Sequence, residues 1–175
     1  MVTTVIETER LILRTWSKKD IVPFAEMCSD TEVMRYFPAP LSYEQTASLV
    51  HRFQERYEQD GYTYYAVALK ETGEFIGFCG MLMQTYESPY TPNVDIGWRL
   101  KKAAWGNGYA TEAAKACLDL SKEKLKIKTI ISVASQKNLP SINVMQKIGM
   151  KKIGEFNHPA LHDTPELNPC EVYKI

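Results

Sequence analysis

The stretch Trp105-Gly-Asn-Gly-Tyr-Ala-Thr111 places Gly106 and Gly108 one residue apart. It lies between the apolar run NVDIGWRL (93–100) and a segment whose Ala110, Ala113, Ala114, Cys117, Leu118, Ser121 and Leu125 recur at helical spacing. A strand that hands over to a helix through such a turn exposes several unpaired N–H groups aimed at one point, and the helix dipole adds positive charge there. With no side chains at Gly106 and Gly108, a bulky anion can touch the main chain, so a pyrophosphate is the natural guest. The alternative is a tight turn in which the glycines serve backbone geometry alone. A P-loop needs Gly-Lys-Ser/Thr at the helix start, where this chain has Gly108-Tyr109-Ala110-Thr111, so a nucleoside triphosphate is not expected. A dinucleotide fingerprint needs a third Gly or Ala where Thr111 stands, and an acid about 20 residues on, which KTIISVAS (128–135) lacks.

The elements that hold this turn alternate along the chain. ERLILRTW (9–16) reads as a strand, and Ser17 as the N-cap of a helix reaching about Cys28. Ser42 and Gln45 form a capping box for a second helix that Asp60-Gly61 stops. Tyr62–Leu69 and Phe75–Gln84 pair as a hairpin around Gly73, and YESPYTP (86–92) reads as a mobile surface loop before the strand NVDIGWRL. KTIISVAS is a β-branched buried strand. Asn138-Leu-Pro-Ser141 opens a short helix that Gly149 ends in a left-handed conformation. Lys151–Phe156 and Glu171–Ile175 are the last strands, separated by a loop holding Pro159, Pro165 and Pro169. The expectation is one mixed α/β domain over residues 1–175, with about seven strands.

A chain of 175 residues, 45% hydrophobic, suffices for one well-cored domain and is short for two. Lysines plus arginines equal the acids at 21 each, so no overall field points to a nucleic acid or anionic membrane partner. The start, MVTTVIETERLILRTW, lacks the character of a secretory signal, and no apolar run reaches the roughly 18–20 residues that span a bilayer. Cys28, Cys79, Cys117 and Cys170 are scattered without metal-ligand spacing and fit buried thiols in a reducing compartment. A soluble cytoplasmic protein without a metal is expected.

WGNGYATEA, preceded by DIGWRL and followed by NLPSINVMQKIGM, resembles the RimJ/RimL-type branch of the GNAT N-acetyltransferases. ETERLILR matches the branch's first strand, so the resemblance covers nearly the whole chain. It implies acetyl-CoA as co-substrate and direct acetyl transfer to a primary amine, on a protein N-terminus or a small molecule. It also implies a twisted, mostly antiparallel sheet flanked by helices, in which NVDIGWRL and KTIISVAS splay apart to admit the pantetheine arm. The family's loop pattern, Gln/Arg-x-x-Gly-x-Gly/Ala, falls on Trp105, Gly108 and Ala110, with Trp105 a variant familiar in this branch. Main-chain binding is thereby implied for Gly106, Asn107, Gly108, Tyr109, Ala110 and Thr111, and for Trp98, Arg99 and Leu100 along the arm.

Asn138 matches an asparagine that bonds the arm. Ser141 matches a position that protonates the departing thiolate, and equally suits a helix-start residue bonding local backbone. The tyrosine many relatives use as this acid is missing from INVMQKIG. Asp95, facing opposite to Ile96 and Trp98 by strand alternation, is a candidate general base, with Glu155, His158 and His162 as alternatives. Tyr36, Phe37, Tyr62, Tyr64 and Tyr65 are candidates for an aromatic amine pocket. A catalytically silent acyl-CoA-binding or sensing module would share Gly108, Ala110 and Asn138 and lack a working base; a non-enzymatic nucleotide-binding domain is a third class. The chain is expected to be a monomer or a homodimer.

Overall fold

The computed structural model describes residues 2–175. Its strands are β1 (Thr4–Glu7), β2 (Leu11–Arg14), β3 (Tyr64–Leu69), β4 (Phe75–Gln84), β5 (Asn93–Leu100), β6 (Ile130–Ser135), β7 (Lys151–Phe156) and β8 (Cys170–Lys174). They form one sheet in the order β1-β2-β3-β4-β5-β6-β8-β7, antiparallel throughout except where β5 meets β6. The strand count is eight rather than about seven. The opening segment divides because Thr8 forms a turn: its N–H donates to the Leu11 carbonyl at 2.9 Å and its hydroxyl accepts from the Leu11 N–H at 2.9 Å.

Four helices cover the sheet: α1 (Ile21–Ser29), α2 (Tyr43–Asp60), α3 (Tyr109–Leu120) and α4 (Leu139–Lys147). Strand alternation sorts the side chains into two layers. On one face Trp16, Ala66, Phe75 and Phe78 meet Phe24 and Met27 of α1 and Val50 and Phe53 of α2. On the other, Leu13, Tyr65, Val67, Met81 and Ile96 meet Ala113, Ala114 and Cys117 of α3 and Ile142 and Met145 of α4. Ala113, Ala114 and Cys117 of α3 have no exposed surface, so the helix backbone approaches the sheet closely and its N-terminus is fixed beside the end of β5.

Local signals account for the helix ends. Ser42 accepts from the Gln45 N–H at 3.2 Å while Gln45 Oε1 accepts from the Ser42 N–H at 2.8 Å, and Gly61 stops α2 at φ 78°. At the first helix the cap differs from expectation. Ser17 is the N-cap of a 3-10 turn over Lys18–Asp20, where its N–H donates to Asp20 Oδ2 at 2.7 Å, and α1 begins only after that turn, at Ile21. α3 ends at Leu120, and a wide turn over Ser121–Leu125 closes at Lys126 with φ 57°.

Asp20 is the one buried carboxylate that ties β2 to α1. Arg14 grips it through two hydrogen bonds of 2.7 Å. Burial pushes its carboxyl up, yet Arg14 and the Ser17 N–H outweigh burial and hold it below the usual aspartate range. Replacing Asp20 by Ala strands the Arg14 charge and is expected to cost about 3–5 kcal/mol in urea unfolding. The depressed carboxyl contributes fully above about pH 4 and loses its contribution as pH falls below that. The difference between wild type and Asp20→Ala should therefore shrink with acidification; a difference independent of pH contradicts the assignment.

Candidate active site

The site begins where two strands part. β5 and β6 pair in parallel only at Val94–Ile130 and Asp95–Ile131. Beyond Asp95 the ladder is replaced: Ser132 Oγ donates to the Ile96 carbonyl at 2.8 Å, and Trp105 Nε1 donates to the Leu100 carbonyl at 2.8 Å. Because the Lys101 N–H donates to Ile76 on β4, alternation turns the Arg99 peptide toward β4 and the Trp98 and Leu100 peptides toward the gap. Of the three residues implied to offer main chain, Trp98 and Leu100 face the gap with their peptides. Arg99 reaches the cavities with its side chain instead.

At the wide end of the gap, Gly106 and Gly108 hold φ of 77° and 79°. That left-handed conformation is what the Gly-x-Gly turn requires, since nothing lies within 4 Å of a Cβ built at Gly106 and only Arg10 Nη2, at 3.6 Å, meets one at Gly108. Gly108 is the N-cap of α3 and brings no side-chain cap, so the N–H groups at the helix start stay available. Asn107 braces the loop from within, donating to the Ala104 and Trp105 carbonyls at 3.3 and 3.0 Å. Sequence reasoning missed the outer brace. Arg10 bonds Glu112 through Nε at 2.7 Å and Nη2 at 2.6 Å, donates from Nη1 to the Asn107 carbonyl at 3.0 Å, and lies 4.7 Å over the Tyr109 ring. Thr8 adds a bond of 2.6 Å to Glu112. These partners hold the Glu112 carboxyl below its usual range despite burial, and they offset its charge at the helix start.

Two cavities open from the gap. One of about 390 Å³ is lined by Trp105, Gly106, Gly108, Tyr109, Ala110 and Thr111, with Arg35 and Lys147 contributing cations. The other, of about 480 Å³, contains Asp95, Tyr64, Gln84, Tyr86 and His158. Tyr36, Phe37, Trp98, Arg99, Asn138 and Ser141 line both, so the cavities meet at these residues. Asn138 Oδ1 accepts from the Ser141 N–H at 3.2 Å, which makes Asn138 the cap of α4.

Asp95 sits at the apex of the splay. Tyr64 Oη donates to its Oδ2 at 2.6 Å and accepts from Gln84 Nε2 at 3.3 Å. Tyr64 stands on β3, two strands away, and reaches Asp95 across Gly80 and Gly97, which lie in register with it. A Cβ at Gly97 would sit 3.1 Å from the Tyr64 hydroxyl, tighter than ordinary contact. Glycine inside a strand marks a close approach, and this was the available sequence signal for Tyr64. Burial pushes the Asp95 carboxyl up to about 7, against the opposing hydrogen bonds of Tyr64, Gln84 and the Val133 N–H. A carboxyl poised there exchanges protons readily near neutral pH.

The other candidates separate. Glu155 is exposed and paired with Lys152, and His162 is exposed; neither lines the two cavities. His158 lines the second cavity, but its Nδ1 accepts from the Ala160 N–H at 3.1 Å and burial lowers its pKa. Of the proposed aromatic residues, Tyr36, Phe37 and Tyr64 line a cavity, while Tyr65 packs under α3 and Tyr62 lies against the same core. The segment expected to be mobile, 86–92, is pinned: Tyr86 lies 4.3 Å from the His158 ring and Tyr90 lies 5.7 Å from Phe156. Among the described residues no helix is long and apolar enough to cross a membrane, and no His/Cys/Asp/Glu group has metal-binding geometry.

The sequence model for the Acetyltransferase (GNAT) domain matches residues 10–151. The uncharacterized protein YkkB of Bacillus subtilis is 33% identical over 94% of this chain and 98% of its own. The uncharacterized N-acetyltransferase YnaD of the same organism is 32% identical over 86% and 85%. A GNAT-family acetyltransferase structure from Bacillus anthracis superposes with TM-score 0.80 at 30% identity, over 97% of this chain and 96% of that one.

Tyr64→Phe removes a hydrogen bond to the ionised form of Asp95. Such bonds to charged groups are worth about 1.5–3 kcal/mol, so the Asp95 pKa should rise by about one to two units from its starting value near 7. Carboxyl carbon NMR titration reads the shift; an unchanged or lower value contradicts the geometry.

Proposed function

The chain belongs to the GNAT acetyltransferase family, whose acetyl donor is acetyl-CoA, and from that premise we propose that it acetylates a primary amine by direct transfer, with Asp95 as the general base. The observation that carries this reading is the junction of the two cavities: an uncapped helix start on one side and a half-buried carboxylate near neutrality on the other share Trp98, Asn138 and Ser141. The WGNGYA loop and the ETERLILR strand support placement in the RimJ/RimL-type branch. The free, buried cysteines support a reducing, cytoplasmic setting.

The residues present fit the donor. The N–H groups of Gly108, Tyr109, Ala110 and Thr111 would hold its diphosphate, with Arg35 and Lys147 nearby as cations. The free peptide edge of Trp98 would pair with the arm as another strand does. When bound, acetyl-CoA supplies an activated thioester carbonyl.

Asp95 accepts a proton from the incoming ammonium, directly or through water, and Tyr64 and Gln84 keep the carboxylate oriented. The Trp98 N–H is a fixed donor for charge that develops on the carbonyl oxygen. Ser141 carries a hydroxyl with no hydrogen bond to the described residues, available to relay to the leaving sulfur the second proton that the nitrogen sheds as the amide forms. Asp95, bonded by Tyr64 in the cavity that meets the cofactor side, supports the enzyme over an acyl-CoA sensor.

Asp95→Asn is expected to lower kcat/KM by about 10²–10⁴ with acetyl-CoA affinity unchanged, and to remove the limb near pH 7 on which wild-type activity rises. Full activity in that variant contradicts Asp95 as base. Gly108→Asp adds a strained backbone and a negative charge to the cradle and should abolish acetyl-CoA binding in calorimetry while circular dichroism shows a folded protein. Near-normal affinity in the folded variant contradicts the placement of the diphosphate.

A further inference from the structure

Arg99 is a cation without a counterion. Its guanidinium lies 4.0 Å over Phe37 and 5.4 Å from Phe78, so its faces are occupied by aromatic rings. Nη1 donates to Cys28 Sγ at 3.4 Å, a weak acceptor, while Nε is buried with no partner. No ion pair among the described residues includes Arg99, nor Arg52, which lines the same cavity. Among the described residues, Asp95 is the only carboxylate lining that cavity. Glu32, on the cofactor side, is shared between Arg35 at 3.8 Å and Lys102 at 3.9 Å. A deep guanidinium with no counterion is costly unless an anion pairs with it.

Arg99 and Asp95 rise from the same face of β5 with Gly97 between them, so both reach one chamber. Resting on the acetyl-transfer reading, we propose that the acceptor is an amine that also carries a carboxylate, an amino-acid-like molecule held by the guanidinium Nη donors of Arg99 with its amine toward Asp95. The flat guanidinium edge offers two parallel donors, the geometry a carboxylate takes. Phe37 and Phe78 fix the plane of that fork, and Arg52 at the rim draws the anion inward. A protein N-terminus followed by a neutral peptide bond leaves Arg99 unpaired and is discriminated against on that ground.

Two measurements test the assignment. Released CoA is followed with the twenty L-amino acids and with their primary amides. At least one acid should exceed its amide by about a hundredfold in kcat/KM, the scale of a buried charge-paired hydrogen bond. Arg99→Gln should bring that ratio close to one and Arg99→Lys should leave it intermediate, both with acetyl-CoA affinity within about threefold of wild type by calorimetry. Amides used as well as acids, a ratio untouched in Arg99→Gln, or loss of acetyl-CoA affinity in that variant overturns the proposal; the last result assigns Arg99 to the cofactor.

The second measurement needs no turnover. In the presence of CoA, N-acetyl amino acids should bind wild type about tenfold or more tightly than their amides, and Arg99→Gln should erase the difference. If no amine releases CoA yet this selectivity is present, the transfer reading fails and the carboxylate site stands. If the selectivity is absent, the carboxylate site fails whatever the turnover. Should Arg99→Gln lose its thermal transition, Arg99→Lys carries the comparison, because it keeps the charge and removes the fork.

Discussion

A parallel strand pair that opens after two residue pairs places polar backbone inside a core, and the molecule is organised around that opening. Each orphaned peptide group there costs about 1–3 kcal/mol. Side chains satisfy two of them: Ser132 at the Ile96 carbonyl and Trp105 at the Leu100 carbonyl. The Trp98 peptide is an edge left over, at one of the residues that line both cavities. The wedge therefore persists because its sides are bonded and its middle is reserved for a ligand.

The electrostatics follow from the same geometry. At the wide end, α3 points its N-terminus into the gap, and Arg10 neutralises the one carboxylate in the first helical turn. The brace runs from the β1–β2 turn through Thr8 and Arg10 to Glu112, so the edge of the sheet positions the loop. At the apex, burial moves Asp95 toward neutrality while Tyr64 keeps it from rising further. One end favours anions and the other stores an exchangeable proton.

Much of this was legible in the sequence because its signals are local. The Gly-x-Gly turn, the Ser42–Gln45 capping box, the Asn138–Ser141 helix start and the alternation of NVDIGWRL all lie within a few residues of the features they specify. The Tyr64–Asp95 bond spans 31 positions and crosses an intervening strand, and only the glycines in FCGM and DIGW hint at it. Residue type alone groups Tyr64 and Tyr65 in one pocket although adjacent strand residues face opposite sides of the sheet, and which face bears the cavity depends on where α1 and α2 pack. The unpartnered state of Arg99 was out of reach for a similar reason, since Phe37 and Cys28 come from segments distant in the chain. The short strand β1 was lost to a turn made by a single threonine.

A crystal structure with CoA bound tests the central claim most directly. The diphosphate is expected on the N–H groups of Gly108–Thr111 and the pantetheine amides along the Trp98 edge, with β5 and β6 still parted beyond Asp95. A gap filled by the protein's own side chains, with the cofactor bound elsewhere, would contradict it.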